Sequence, residues 1–144
     1  MCWSSPTLKL IVDAPTIAAH RIAERLRAAF PEDAARADER VGDQGFELNE
    51  APYLWVEHFS QFTTDAINGR EFARAASHMR EVSALLAGAD EDVVKCIDVA
   101  YVESLMWDVR DDKRKAEGWK HVPENLRQLY IQMWGERPFM KGGR

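Results

Sequence analysis

Apolar residues recur at helical spacing along most of the chain. Ile22, Leu26 and Phe30 fall at i, i+4 and i+8, with Ala18, Ala19 and Ala29 beside them. Arg21, Glu24, Arg25 and Arg27 occupy the other side. Pro15 and Thr16 open this helix, Asp13 is placed to cap it, and Pro31 ends it. A second stripe of Trp55, Phe59, Phe62 and Ala66, widened by Leu54, Val56 and Ile67, starts near Asn49 and Pro52 and stops at Asn68-Gly69. A third runs through Phe72, Ala76, Met79, Val82, Leu85 and Leu86 to Gly88. The short connection between the second and third predicts an antiparallel helical hairpin.

Asp90-Glu91-Asp92 caps the next helix, with acids where the helix dipole favours them. Val93, Val94, Ile97, Ala100, Tyr101, Ser104 and Leu105 form one face, and Val99, Val102 and Met106 lie on the other. A helix apolar on nearly every side packs on more than one side, so a central helix is predicted near 91–107. Asp111 to Lys115 reads as a solvated charge run or one short helix. Pro123 opens a last helix carrying Leu126, Leu129, Tyr130, Met133 and Trp134, stopped by Gly135 and Pro138. Period-two alternation occurs only over Thr7 to Val12, too short for a sheet. The prediction is a single all-α domain over 1–144, a bundle of about five main helices, with 1–12 and 138–144 less ordered.

Residues 32–50 interrupt the pattern. They hold seven acids (Glu32, Asp33, Asp38, Glu39, Asp43, Glu47, Glu50) against Arg36 and Arg40. One or two helical turns over Ala34 to Arg40 and a loop at Gly42-Asp43-Gln44-Gly45 are expected, with little contribution to the core. Phe46 and Leu48 are the large apolar residues nearby. The whole chain carries −5, divided as −9 over residues 1–109 and +4 over 110–144. An acidic surface repels phosphate backbones, which argues against nucleic acid as a partner. No apolar run approaches the roughly 18 residues of a membrane span. Two cysteines, Cys2 and Cys96, make no disulfide framework and fit a reducing compartment. The start, Met1-Cys2-Trp3-Ser4-Ser5-Pro6, lacks a basic signal-peptide region, so a cytoplasmic protein is expected.

Motifs for chemistry are missing. His20, His58, His78 and His121 are scattered outside any HExxH or Glu-x-x-His pair, so they read as surface residues and no metal or cofactor is expected. The chain has no GxSxG, GxGxxG or P-loop, and Cys96 reads as a core thiol. Two groups of residues stand out. Asp98 and Glu103 are acids in the most apolar helix and, with Tyr101, would form a pocket if they converged. Trp107 and Trp119 flank the charge run, either covering a helix end or serving as exposed anchors.

The order of short patterns resembles a known family. Leu26-Arg27-Ala28-Ala29-Phe30-Pro31-Glu32 precedes Pro52-Tyr53-Leu54 at a helix start. Asp90-Glu91-Asp92-Val93, Val102-Glu103-Ser104-Leu105 and Tyr130 to Gly135 follow. Over about residues 22–135 this resembles the DUF7674 type of small bacterial all-helical proteins of undetermined function. The resemblance implies a bacterial cytosolic helical protein and an immunity-type role, and it carries no catalytic residues across. The expectation is a non-enzymatic protein-interaction module that neutralises a toxin by binding its basic domain. Its contact residues are Asp43, Phe46, Glu47 and Leu48, with Trp107 and Trp119 next in line or in a self-association surface. The alternative is a ligand-binding or enzymatic protein with a pocket at Asp98, Tyr101 and Glu103.

Overall fold

Asp13 accepts a hydrogen bond from the Thr16 amide at 2.8 Å and so starts α1 (Ala14–Ala29). The computed structural model describes residues 13–47 and 50–142. Pro31, which ends α1, also begins α2 (Pro31–Asp43). α3 (Pro52–Asn68) and α4 (Phe72–Leu86) follow, joined by a tight turn in which Arg70 takes the left-handed conformation at φ 61°. Asp90 caps α5 (Glu91–Cys96) by accepting from the Val93 amide at 3.0 Å. This helix widens without a break into a π-helical segment over Ile97–Val102. α6 (Asp112–Trp119), α7 (Glu124–Trp134) and a short α8 (Pro138–Gly142) complete the described residues. They contain no strand, and no helix among them is long and apolar enough to cross a membrane.

The core runs through every helix from α1 to α8, with Ile22, Trp55, Phe59, Phe62, Met79, Ile97, Tyr101 and Leu126 among its buried side chains. α3 is the hub. It packs against α1, α2, α4, α6 and the π segment. Its contact with α6 is close at Gly118, where an added Cβ would sit 2.9 Å from Ile67 Cγ2.

Three expectations are corrected. Residues 32–50 are not mainly loop, because Ala34, Ala37 and Val41 form a narrow apolar stripe that buries α2. The acids of α2 mask that stripe by composition, yet Glu32 and Asp33 sit in its first turn, where the dipole favours them. The segment 91–107 is not one regular helix. Ala100, Tyr101 and Val102 are buried in succession, on a π turn that gives way to turns by Glu103. Residues 138–142 are not less ordered but form a separate helix that starts at Pro138 and buries Phe139 and Met140, after α7 has stopped at Gly135 as expected. The five main helices expected are present as α1, α3, α4, α5 with its π segment, and α7, and α2, α6 and α8 join them among the described residues. Residues 1–12 lie outside the described residues.

Candidate functional site

α3 has a buried side and an outward edge. Glu57, His58, Gln61 and Asp65 form the edge, at i, i+1, i+4 and i+8. His58 Nε2 lies 2.5 Å from Gln44 Oε1, in the turn that follows α2. One helical step on, the Gln61 amide donates to Asp108 at 3.3 and 3.4 Å and to Asp65 at 3.2 Å. The turn carrying Asp43, Phe46 and Glu47 and the turn carrying Trp107 therefore border the same edge from either side. Phe46 is 44% exposed and Trp107 70%.

Carboxylates dominate the charge along this edge, with Arg36 and Arg40 both stacked on the neighbouring Phe62 ring. Partial burial, and then the charge of Glu103, push the carboxyls of both Glu57 and Asp98 above their usual range. Glu103 thus sits within electrostatic reach of both Glu57 and Asp98. Among the described residues, Asp43, Glu47, Glu57, Asp65, Asp98, Glu103 and Asp108 form no salt bridge. Arg40 stacks on the Phe62 ring, 4.7 Å from its centroid, and after burial is the second influence lowering the His58 pKa.

Two candidate site residues lie in the core, and for Trp119 this is the covering role that the sequence left open beside that of an anchor. Trp119 is 2% exposed, packed edge-on against Tyr130 and Phe139 with the Arg127 guanidinium 4.9 Å from its ring centroid. It is core and offers no anchor, because α8 folds back over it. Tyr101 does not join Asp98 and Glu103. Its side chain is fully buried and its hydroxyl meets Thr63 Oγ1 at 2.9 Å, while Glu103 is exposed and Asp98 half-buried. Tyr101, on the π turn, is carried into the core, whereas Glu103 stays outside within electrostatic reach of Glu57. Leu48 lies outside the described residues.

A chain of buried polar groups was not read from the sequence. Asp33 Oδ2 lies 2.8 Å from His78 Nε2, His78 Nδ1 lies 2.9 Å from Thr63 Oγ1, and Tyr101 follows. Arg36 at 3.1 Å and Arg74 also donate to Asp33. His78 is a correction to the surface reading, because it is completely buried. Its position among Ala75, Met79 and Val82, at helical spacing, was the available signal. Carboxylate, imidazole and hydroxyl stand in the order that activates a nucleophile. Thr63 and His78 have no exposed surface, however, so no substrate reaches the hydroxyl and the chain serves as structure.

No three His, Cys, Asp or Glu side chains among the described residues converge as a metal site. Burial pushes the Cys96 thiol up to about 12, which makes it unreactive at neutral pH. A family model described as a domain of unknown function, DUF7674, matches residues 23–135. No curated protein and no solved structure matches the chain.

Proposed function

We propose that this chain, which belongs to the DUF7674 family, is a non-enzymatic protein-interaction module that receives a basic partner along the outward edge of α3. One observation carries the reading. His58 and Gln61 tie the Phe46 turn and the Trp107 turn to one helix edge, with unpaired carboxylates on both sides. Acidic groups held close together at a cost in self-repulsion attract a basic surface over distance, and exposed aromatic side chains supply apolar area once contact is made. An immunity-type role is the finer form of the proposal, with a basic toxin domain as the partner. The alternative pocket at Asp98, Tyr101 and Glu103 lacks support, since its three groups do not converge.

A photoreactive amino acid placed at Phe46 and at Trp107, in cells of the native source, tests the proposal. Both positions should capture the same basic protein. The exposed positions Arg80, on α4, and Lys120, after α6, should not. Capture of an acidic protein, or equal capture at all four positions, would overturn it.

A further inference from the structure

Trp107 also belongs to a second feature. A cleft of about 410 Å³ opens between the end of the π segment, α6, α7 and α8. That volume lies in the range of small-molecule sites, roughly 300–1,000 Å³. Its aromatic walls are Trp107, Tyr130, Trp134 and Phe139. The Trp107 and Trp134 centroids stand 6.0 Å apart at 42°, and Tyr130 stands 6.5 Å from Trp134. Met106 lines the cleft from the core side, with its backbone in the left-handed region at φ 60° and its amide donating to Thr64 Oγ1 at 2.8 Å. Such a conformation persists only where the surroundings impose it.

The polar groups of the cleft are mostly donors. Arg137 is steadied by its Nε, which donates to the Trp134 carbonyl at 2.9 Å. Lys115 Nζ lies 5.5 Å from the Phe139 ring centroid. Neither cation forms a salt bridge among the described residues, and Asp112 is the one acid among the lining residues. Burial raises the Tyr130 pKa, so its hydroxyl stays protonated. The Trp134 indole Nε1 is buried without any acceptor. Two cations and a hydroxyl together call for a ligand rich in acceptors, and the aromatic walls call for a flat apolar body.

We infer that this cleft binds a small planar carboxylate, with the ring against Trp107 and Trp134 and the carboxylate held by Arg137 and Lys115. The inference goes beyond the partner-binding proposal and does not depend on it.

Three probes of one shape separate the terms. They are 2-naphthoate, 2-naphthalenemethanol and 2-naphthylmethylammonium, titrated by calorimetry into the full chain. The carboxylate should bind at least about tenfold more tightly than the alcohol, and the ammonium most weakly. Arg137→Gln should weaken naphthoate about tenfold and leave the alcohol unchanged. Trp107→Ala should weaken both naphthoate and the alcohol. Both positions are exposed, so circular dichroism should show the fold intact in either variant. Naphthoate should also shift the Trp134 indole N–H resonance. Equal affinity for the three probes, preference for the ammonium, no saturable binding, or an unmoved Trp134 resonance would each overturn the inference. Phe46→Ala should leave naphthoate affinity unchanged, so failure of the acidic-edge proposal and failure of this one are distinguishable.

Discussion

His78 shows how a single buried group sets a pH dependence. Burial, the largest influence, holds its pKa below the usual 6.5, and it outweighs the opposing pull of Asp33. The bonding fits a neutral ring: Tyr101 donates to Thr63, Thr63 to Nδ1, and Nε2–H to Asp33. A second ring proton would require the Thr63 hydroxyl to turn its own proton to the Phe59 carbonyl, 3.4 Å away. The unfolded chain protonates this histidine below about pH 6.5 and the folded chain does not, so its contribution is complete above that pH and declines as pH falls. His58, also lowered, acts in the same direction. The raised carboxyls of Glu57 and Asp98 act in the opposite one, favouring the fold as they take up protons. Asp33 is lowered overall, because bonds from Arg74 and His78 exceed the upward push of its burial, and it withdraws stability only near pH 4 and below. The expected result is a His78 ring resonance that does not titrate near 6.5 in the folded protein. A midpoint at 6.5 or higher would mean that the ring is solvated or charged in the fold.

At the scale of elements, α3 acts as a template for the irregular segment beside it. Ser60 Oγ donates to the Tyr101 carbonyl at 2.6 Å, Thr63 meets the Tyr101 hydroxyl, and Thr64 Oγ1 accepts from the Met106 amide. Where the π turn gives up regular helical bonding, these hydroxyls occupy backbone groups that would otherwise be buried without partners. Thr64→Val keeps the volume and removes the acceptor. It should cost about 1–3 kcal/mol in denaturant unfolding. Hydrogen exchange at the Met106 amide should rise with it, whereas unchanged exchange would show that another group satisfies this N–H. The apolar stripes of α1, α3, α4 and α7 were legible because their large residues repeat at helical spacing. α2 and α8 were not, because alanine stripes and a five-residue helix give almost no periodic signal, and their burial depends on neighbours distant in the chain.

For the molecule as a whole, the division of charge sets how a partner would approach. Residues 1–109 carry −9 and residues 110–144 carry +4. The edge of α3, with Asp43 and Glu47 beyond one side and Glu103 and Asp108 beyond the other, belongs to the acidic part. For a partner captured at Phe46, reversing Asp43 and Glu47 to lysine should slow association about tenfold or more at low salt. The difference should shrink as salt is added. Phe46→Ala should instead speed dissociation. The reversals leave the fold intact, because Asp43 ends α2, where a cation suits the dipole, and the contact of Glu47 with Glu50 uses its backbone amide. Rates that ignore both salt and charge would place the contact elsewhere.

The sequence alone determined the fold class and the composition of most of the core. Helical periodicity is a local property, and Ile22, Leu26, Trp55, Phe59, Phe62, Met79, Ile97 and Leu126 all lie buried where their stripes place them. It also singled out Asp43, Phe46, Glu47, Asp98, Glu103 and Trp107, though as separate features. Only the tertiary structure decided how these relate, through the hydrogen bonds of His58 and Gln61 across residues far apart in the chain. The same holds for Trp119, which α8 encloses, for Tyr101, which the π turn carries inward, and for Asp33 and His78, which meet across 45 positions of sequence. Burial of a polar or aromatic side chain depends on what folds over it, and that is set by long-range packing, which no local pattern encodes.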